Sequence, residues 1–178
     1  MPLWSLHLAM GRPPVAPVVK TTRSIQFGVT MNQNTLQATQ AFVGAWRLIS
    51  FEARNDDGTV THPFGTDARG SIIYTDSGRF SAQVMRLSRP QFAAGDQMQG
   101  TSTELEANYK GCISYFGSYT VDDRGGFVVH HVEASLFPNW EGTDQTRFFE
   151  FSGNRLKLST PPMTWGGGGR IGVLVWER

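Results

Sequence analysis

The chain has 178 residues, 39% hydrophobic and 12% aromatic, enough for one sizeable core and too few for two. Its formal charge is +1, yet three of its 16 basic residues, Arg12, Lys20 and Arg23, lie in the first thirty positions, and no acid precedes Glu52; from Met31 onward the chain is slightly acidic and offers no electrostatic case for nucleic acid. The lone cysteine, Cys112, excludes an intramolecular disulfide and fits the reducing cytoplasm, and no run reaches the ~20 apolar residues of a membrane helix, so no membrane association is expected. The first thirty residues, with Pro13, Pro14 and Pro17 and no sustained period, read as a tail and not as a signal peptide. Residues 1–41 are therefore taken as an N-terminal extension that carries a short helix over 35–42, and residues 42–178 as the domain.

A strand is predicted from Val43 to Ala53, opened by Gly44-Ala45-Trp46 and ended by the turn sequence Asn55-Asp56-Asp57-Gly58. After a loop that holds His62, strands over 70–75 and 79–86 are joined by Asp76-Ser77-Gly78, a strong hairpin signal. The segment from Arg89 to Lys110 breaks the alternation. There Thr101 and Glu104 have the spacing of a capping box, so one or two short helices are expected over a barrel mouth. Strands over 115–121, 127–135, 145–151, 155–160 and 171–177 complete a count of eight. Their short turns make them antiparallel, and a strand at the extreme C-terminus can pair with the first to remove the open edges. The fold class is all-β: a closed, up-and-down antiparallel barrel of about eight strands, wide enough for one small ligand.

Several of these segments, Gly44-Ala45-Trp46-Arg47-Leu48, Gly70-Ser71-Ile72-Ile73-Tyr74, Ser81 to Arg86, His130-His131-Val132-Glu133, Pro138 to Thr143 and Arg147-Phe148-Phe149, together resemble the lipocalin-like domain proteins of the calycin type. The resemblance covers about Phe42 to Arg178. It implies a calyx-shaped barrel around an apolar, partly polar-lined cavity; the absence of a disulfide pair departs from secreted transport lipocalins.

Strand alternation then sorts the site candidates. Closing the loop 122–126 with Val121 opposite Phe127 puts Tyr115, Tyr119, His131 and Glu133 on one face; a slip of one residue would turn His130 inward instead. In the next strand Arg147 shares a face with Phe149 and Phe151. Under the first register, Tyr115, Tyr119, His131, Glu133 and Arg147 form an internal polar cluster with Glu133 as the partner of Arg147. Phe149 and Trp140 supply aromatic wall and lid, with Trp165 as a second lid residue, whereas Trp46 and Trp176 pack floor and wall and Arg178 can stack over an indole.

The expected function is binding of a small, mainly apolar metabolite, a polyketide, terpenoid or aromatic with a carbonyl or carboxylate. The alternative is a cofactor-independent isomerase, cyclase or dehydratase of secondary metabolism using His131 as proton shuttle, oriented by Glu133. A third reading, a structural or interaction barrel, predicts a filled interior. No cofactor and no metal are expected: adjacent His130 and His131 point to opposite faces, and His131 with Glu133 lacks a third ligand.

Overall fold

The computed structural model describes residues 33–178; the tail expected over residues 1–30 lies outside them. Helix α1 (Gln33–Phe42) leads into β1 (Gly44–Asn55), which is followed by the two-residue β2 (Val60–Thr61), β3 (Arg69–Tyr74) and β4 (Arg79–Met85). Helix α2 (Ser102–Lys110) precedes β5 (Cys112–Asp122), β6 (Phe127–Ser135), β7 (Asp144–Ser152), β8 (Arg155–Ser159), β9 (Met163–Trp165) and β10 (Gly168–Glu177). Eight of the strands run β1-β3-β4-β5-β6-β7-β8-β10, and β10 pairs back onto β1. Every pairing is antiparallel, so the sheet closes into the expected barrel, with β2 and β9 as short additions at its rim.

Closure depends on the length of β1. Gly44 to Arg47 pair with β3, and Arg47 to Asn55 pair with β10, across an irregularity at Ile49 that lets one strand serve both neighbours. The two ends of the described chain meet here. Arg178 Nη1 donates to the carbonyl oxygens of Ala41 and Val43 at 3.2 and 3.1 Å, a cation at the negative end of α1, while its guanidinium lies 4.5 Å from the Trp46 ring. Trp46 Nε1 donates to the Phe42 carbonyl at 2.8 Å. Helix α1 is thereby tied to the barrel, and both belong to one compact unit, Met31–Arg178.

Local signals in the sequence explain the turns and caps. Gly78 takes φ 78° in the β3–β4 turn, a conformation that residues with a Cβ rarely adopt. In α2 the capping box forms: Glu104 N–H donates to Thr101 Oγ1, and Thr101 N–H donates to Glu104 Oε2. One α-helix, not two, occupies the segment before β5 among the described residues.

The β5–β6 hairpin differs from the preferred register. Asp122 pairs with Phe127, Tyr119 with His130 and Ser118 with His131, so the loop has four residues and the β6 side chains from Phe127 to Val132 change face relative to that expectation. Further along, Glu133 is the extra residue of a bulge between Phe116/Ala134 and Gly117/Val132. Gly117 is required there, because a Cβ would lie 1.9 Å from the His131 carbonyl oxygen. His130 is therefore the inward histidine.

Candidate functional site

The two ends of the barrel are filled differently. At the α1 end, Phe42 is fully buried and meets Tyr74, Phe149 and Phe151 edge-on at 5.0, 5.1 and 5.0 Å. Tyr119 closes the same layer, its hydroxyl donating to the Thr75 carbonyl at 3.0 Å, and burial raises its pKa. This floor is solid.

Above it the barrel encloses a cavity of about 660 Å³. Ile72, Val84, Leu158 and Leu174 form its aliphatic wall, with Phe51, Tyr115 and Trp176 as aromatic wall. The mouth is rimmed by aromatics. Trp165 stacks on Phe51 at 5.2 Å and meets Phe64 edge-on at 6.1 Å, and Trp140, on the single 3₁₀ turn Pro138–Trp140, meets Tyr115 at 5.4 Å.

The charges of the lining are one-sided. Arg86, Lys110, Arg147 and Arg170 all border the cavity, and among the described residues no Asp or Glu does. Arg147, only 6% exposed, stands at an inward position of β7; Nη1 donates to its neighbour's carbonyl, Thr146, at 2.7 Å and Nη2 to Gln145 Oε1 at 3.4 Å. Among the described residues it has no carboxylate partner. A buried guanidinium without a counter-ion is costly unless something else supplies negative charge or acceptor oxygens. Trp176, also in the wall, has a buried indole N–H with no acceptor among the described residues.

Behind Tyr115 lies a buried polar chain. His130 is fully buried, with Nε2 2.7 Å from the Tyr74 hydroxyl and Nδ1 3.1 Å from the Tyr115 hydroxyl, and Phe80 stacks on its ring at 4.2 Å. Burial, and secondarily the charge of Arg147, push the imidazole well below its usual pKa and keep it neutral. Burial likewise drives the Tyr74 phenol well up.

Of the residues singled out from the sequence, Tyr115, Arg147 and Trp140 border the cavity. Tyr119 and Phe149 point inward but belong to the floor packing. His131 and Glu133 are corrected to the outer face: His131 Nδ1 lies 2.6 Å from Asp144 Oδ1 and its Nε2 3.0 Å from Thr120 Oγ1, while Glu133 pairs with Arg79, which lowers the carboxyl pKa. The expected Glu133–Arg147 pair is thus absent. The cause is the one-residue difference in register, which inverts a strand's faces. His130, Tyr74, Arg86, Lys110 and Arg170 were not selected. A signal for His130 did exist, in the alternation Val128, His130, Val132 beside the more polar His131 and Glu133; the basic rim gathers loop, helix and strand residues far apart in sequence and had none.

Among the described residues no three His, Cys, Asp or Glu side chains come together as a metal site, and no helix is long and apolar enough to cross a membrane. Fold and cavity define a ligand-binding barrel of the calyx type. A family model described as a lipocalin-like domain matches residues 43–178, and the chain belongs to that family. It is similar to the 4'-hydroxy-3'-methoxypropiophenone carrier protein ppsC of Aspergillus oryzae, with 36% identity over 105 residues that span 55% of this chain and 95% of that protein. Among solved structures it is similar to a REP1-NXSQ fatty acid transporter, with 13% identity, coverage of 76% of this chain and 94% of the other, and a TM-score of 0.35. Family membership and likeness to a carrier protein support small-molecule binding in general.

Proposed function

We propose that the protein binds one small, mainly apolar metabolite in the barrel, an aromatic, polyketide or terpenoid compound whose carbonyl or carboxylate oxygen points at Arg147. The observation that carries this reading is the cavity of about 660 Å³ whose lining holds four cations and no carboxylate, one of the cations buried without a counter-ion. Its volume is in the range of pockets that enclose drug-sized ligands. Apolar walls supply burial, worth roughly 25 cal/mol per Å² of apolar surface, and the few polar groups supply orientation. An unfilled lumen argues against a purely structural barrel. His131 and Glu133, on the outer face, do not reach a molecule in the lumen, so the acid-base role assigned to them has no geometric support.

The carrier relative from Aspergillus oryzae is named for an aryl ketone, which combines an aromatic body with a carbonyl oxygen, the combination this lining suits. A role in secondary metabolism is part of the proposal on that ground. A cytoplasmic site of action is supported by the lone cysteine, Cys112, and by ion pairs on the outer face of the barrel, Arg47–Glu177, Arg79–Glu133 and Lys157–Glu150, where a lipid-facing barrel would be apolar.

The test is a titration with 4'-hydroxy-3'-methoxypropiophenone followed by tryptophan fluorescence, since Trp140, Trp165 and Trp176 all border the cavity. Saturable quenching at one ligand per chain is expected, together with a ligand-bound mass in native mass spectrometry. If neither this ketone nor a panel of aryl carboxylates and terpenoid ketones binds, the reading fails.

A further inference from the structure

The buried chain Tyr74–His130–Tyr115 has only one hydrogen-bond arrangement that leaves no buried donor stranded. His130 is neutral, so one ring nitrogen donates and the other accepts. Tyr74 is 1% exposed, and among the described residues its hydroxyl has one hydrogen-bond partner, His130 Nε2. If Nε2 carried the proton, the Tyr74 hydroxyl would accept it and its own O–H would be a buried donor with no acceptor among the described residues. Tyr74 therefore donates to Nε2, and the imidazole proton sits on Nδ1, from which it is donated to the Tyr115 oxygen. The distances agree: 2.7 Å is ordinary for O–H to nitrogen and 3.1 Å for N–H to oxygen. Tyr115 then receives a proton from behind and keeps its own free. It borders the cavity, and its hydroxyl has no other hydrogen-bond partner among the described residues.

Arg147 sits on the same inner surface. It pairs with Val128 across β6–β7, and Val128 and His130 are successive inward residues of β6. Arg147 and Tyr115, both hydrogen-bond donors, thus border one lumen, which no Asp or Glu among the described residues lines.

We propose that Tyr115 is a specificity residue that donates a hydrogen bond to an unprotonated ligand oxygen, that Tyr74 and His130 are positioning residues that hold its hydroxyl in the donating direction, and that Tyr115 and Arg147 form one subsite for a ketone or carboxylate group. This rests on the binding reading above. It adds that the barrel discriminates by the acceptor oxygen and not by apolar size alone.

The experiment compares three probes with similar carbon skeletons: butyrophenone, 4-phenylbutanoate and butylbenzene. Each is measured by displacement of N-phenyl-1-naphthylamine from the wild-type protein and from Tyr115→Phe and Tyr74→Phe. The wild type should bind butyrophenone about tenfold more tightly than butylbenzene, the size of one well-made hydrogen bond in a dry site. In Tyr115→Phe the ratio should fall to within about twofold while butylbenzene binding stays, which also shows that the variant is folded. Tyr74→Phe, which touches no ligand, should lose roughly threefold of the ratio by releasing the tautomer that directs Tyr115. An independent readout is the infrared carbonyl band of ¹³C-labelled butyrophenone, expected at lower wavenumber when bound to the wild type and moved back toward the free value in Tyr115→Phe. Butylbenzene binding with an unchanged ketone ratio in both variants, or a carbonyl band that does not shift, overturns this subsite and leaves the binding reading standing. If no probe, butylbenzene included, displaces the naphthylamine from the wild type, the binding reading itself falls.

Discussion

The floor and the mouth of the barrel are both rich in aromatic rings, and they differ in what those rings touch. At the floor, Phe42 is ringed by Tyr74, Tyr119, Phe149 and Phe151, so each ring is satisfied by another ring. At the mouth, Trp165, Phe64 and Trp140 border open volume with Arg86, Lys110 and Arg170 among them. One end is closed by ring-on-ring contacts around a fully buried Phe42 and contributes stability; the other leaves surface and charge for something outside the chain. The polar chain Tyr74–His130–Tyr115 runs from the first region to the second.

This contrast predicts that stability and binding separate. The largest effect is expected from Phe42→Ala, which removes the central ring of the floor and should lower unfolding stability by about 3–5 kcal/mol in urea titration. Butylbenzene affinity of the folded fraction should change by less than about twofold. Equal losses in both would mean that the floor and cavity are one region. Next comes Arg147→Met, which should weaken 4-phenylbutanoate by about tenfold or more, the range of a charge-assisted hydrogen bond. Its stability should hold or rise, because a buried cation without a partner opposes folding; a large loss of stability instead would make Arg147 a structural residue.

A third expectation is pH-dependent. The neutral imidazole of His130 has its folded-state pKa well below the unfolded value of about 6.5. In that window the unfolded chain takes up a proton that the native state refuses, so this contribution is complete above the unfolded pKa and is lost as pH falls. Unfolding free energy should decline from pH 7 to pH 5, by at most about 1.4 kcal/mol per unit from this group, and the decline should flatten in His130→Gln. Identical slopes in wild type and variant would show that His130 protonates freely in the native state. The smallest effect is expected at the rim: Arg170→Gln should weaken 4-phenylbutanoate by less than about threefold, and added salt should erase the difference. A loss as large as that of Arg147→Met would move the anion subsite outward to the mouth.

The barrel was legible in residues local to each strand. Asp76-Ser77-Gly78 marks its turn because glycine alone accepts the required φ without strain, and Thr101 with Glu104 marks a helix start because both groups satisfy orphan amides within one turn. The strand count followed from alternation between such markers; the sequence offered Arg178 an indole to stack on, and the structure makes it Trp46. Arg147 and Tyr115 were assigned to the inner face by the same alternation, and Trp140 was taken as a lid residue.

His131 and Glu133 show where that reasoning ends. Alternation determined that one set of β6 side chains faces inward; it did not determine which, because both Val128-His130-Val132 and Val129-His131-Glu133 have period two. The choice was made by a four-residue loop, by the bulge at Glu133 and by the close approach of Gly117 to the His131 carbonyl, all contacts between strands. The acid-free basic lining is likewise collected from α2, β7, β10 and the loop after β4, segments distant in sequence. By itself the sequence determined periodicity, turns, caps and hence the closed barrel, since these are short-range properties of the backbone. Register, cavity and the pairing of charges were decided only in the tertiary structure, because a shift of one residue costs nothing locally and exchanges inside for outside.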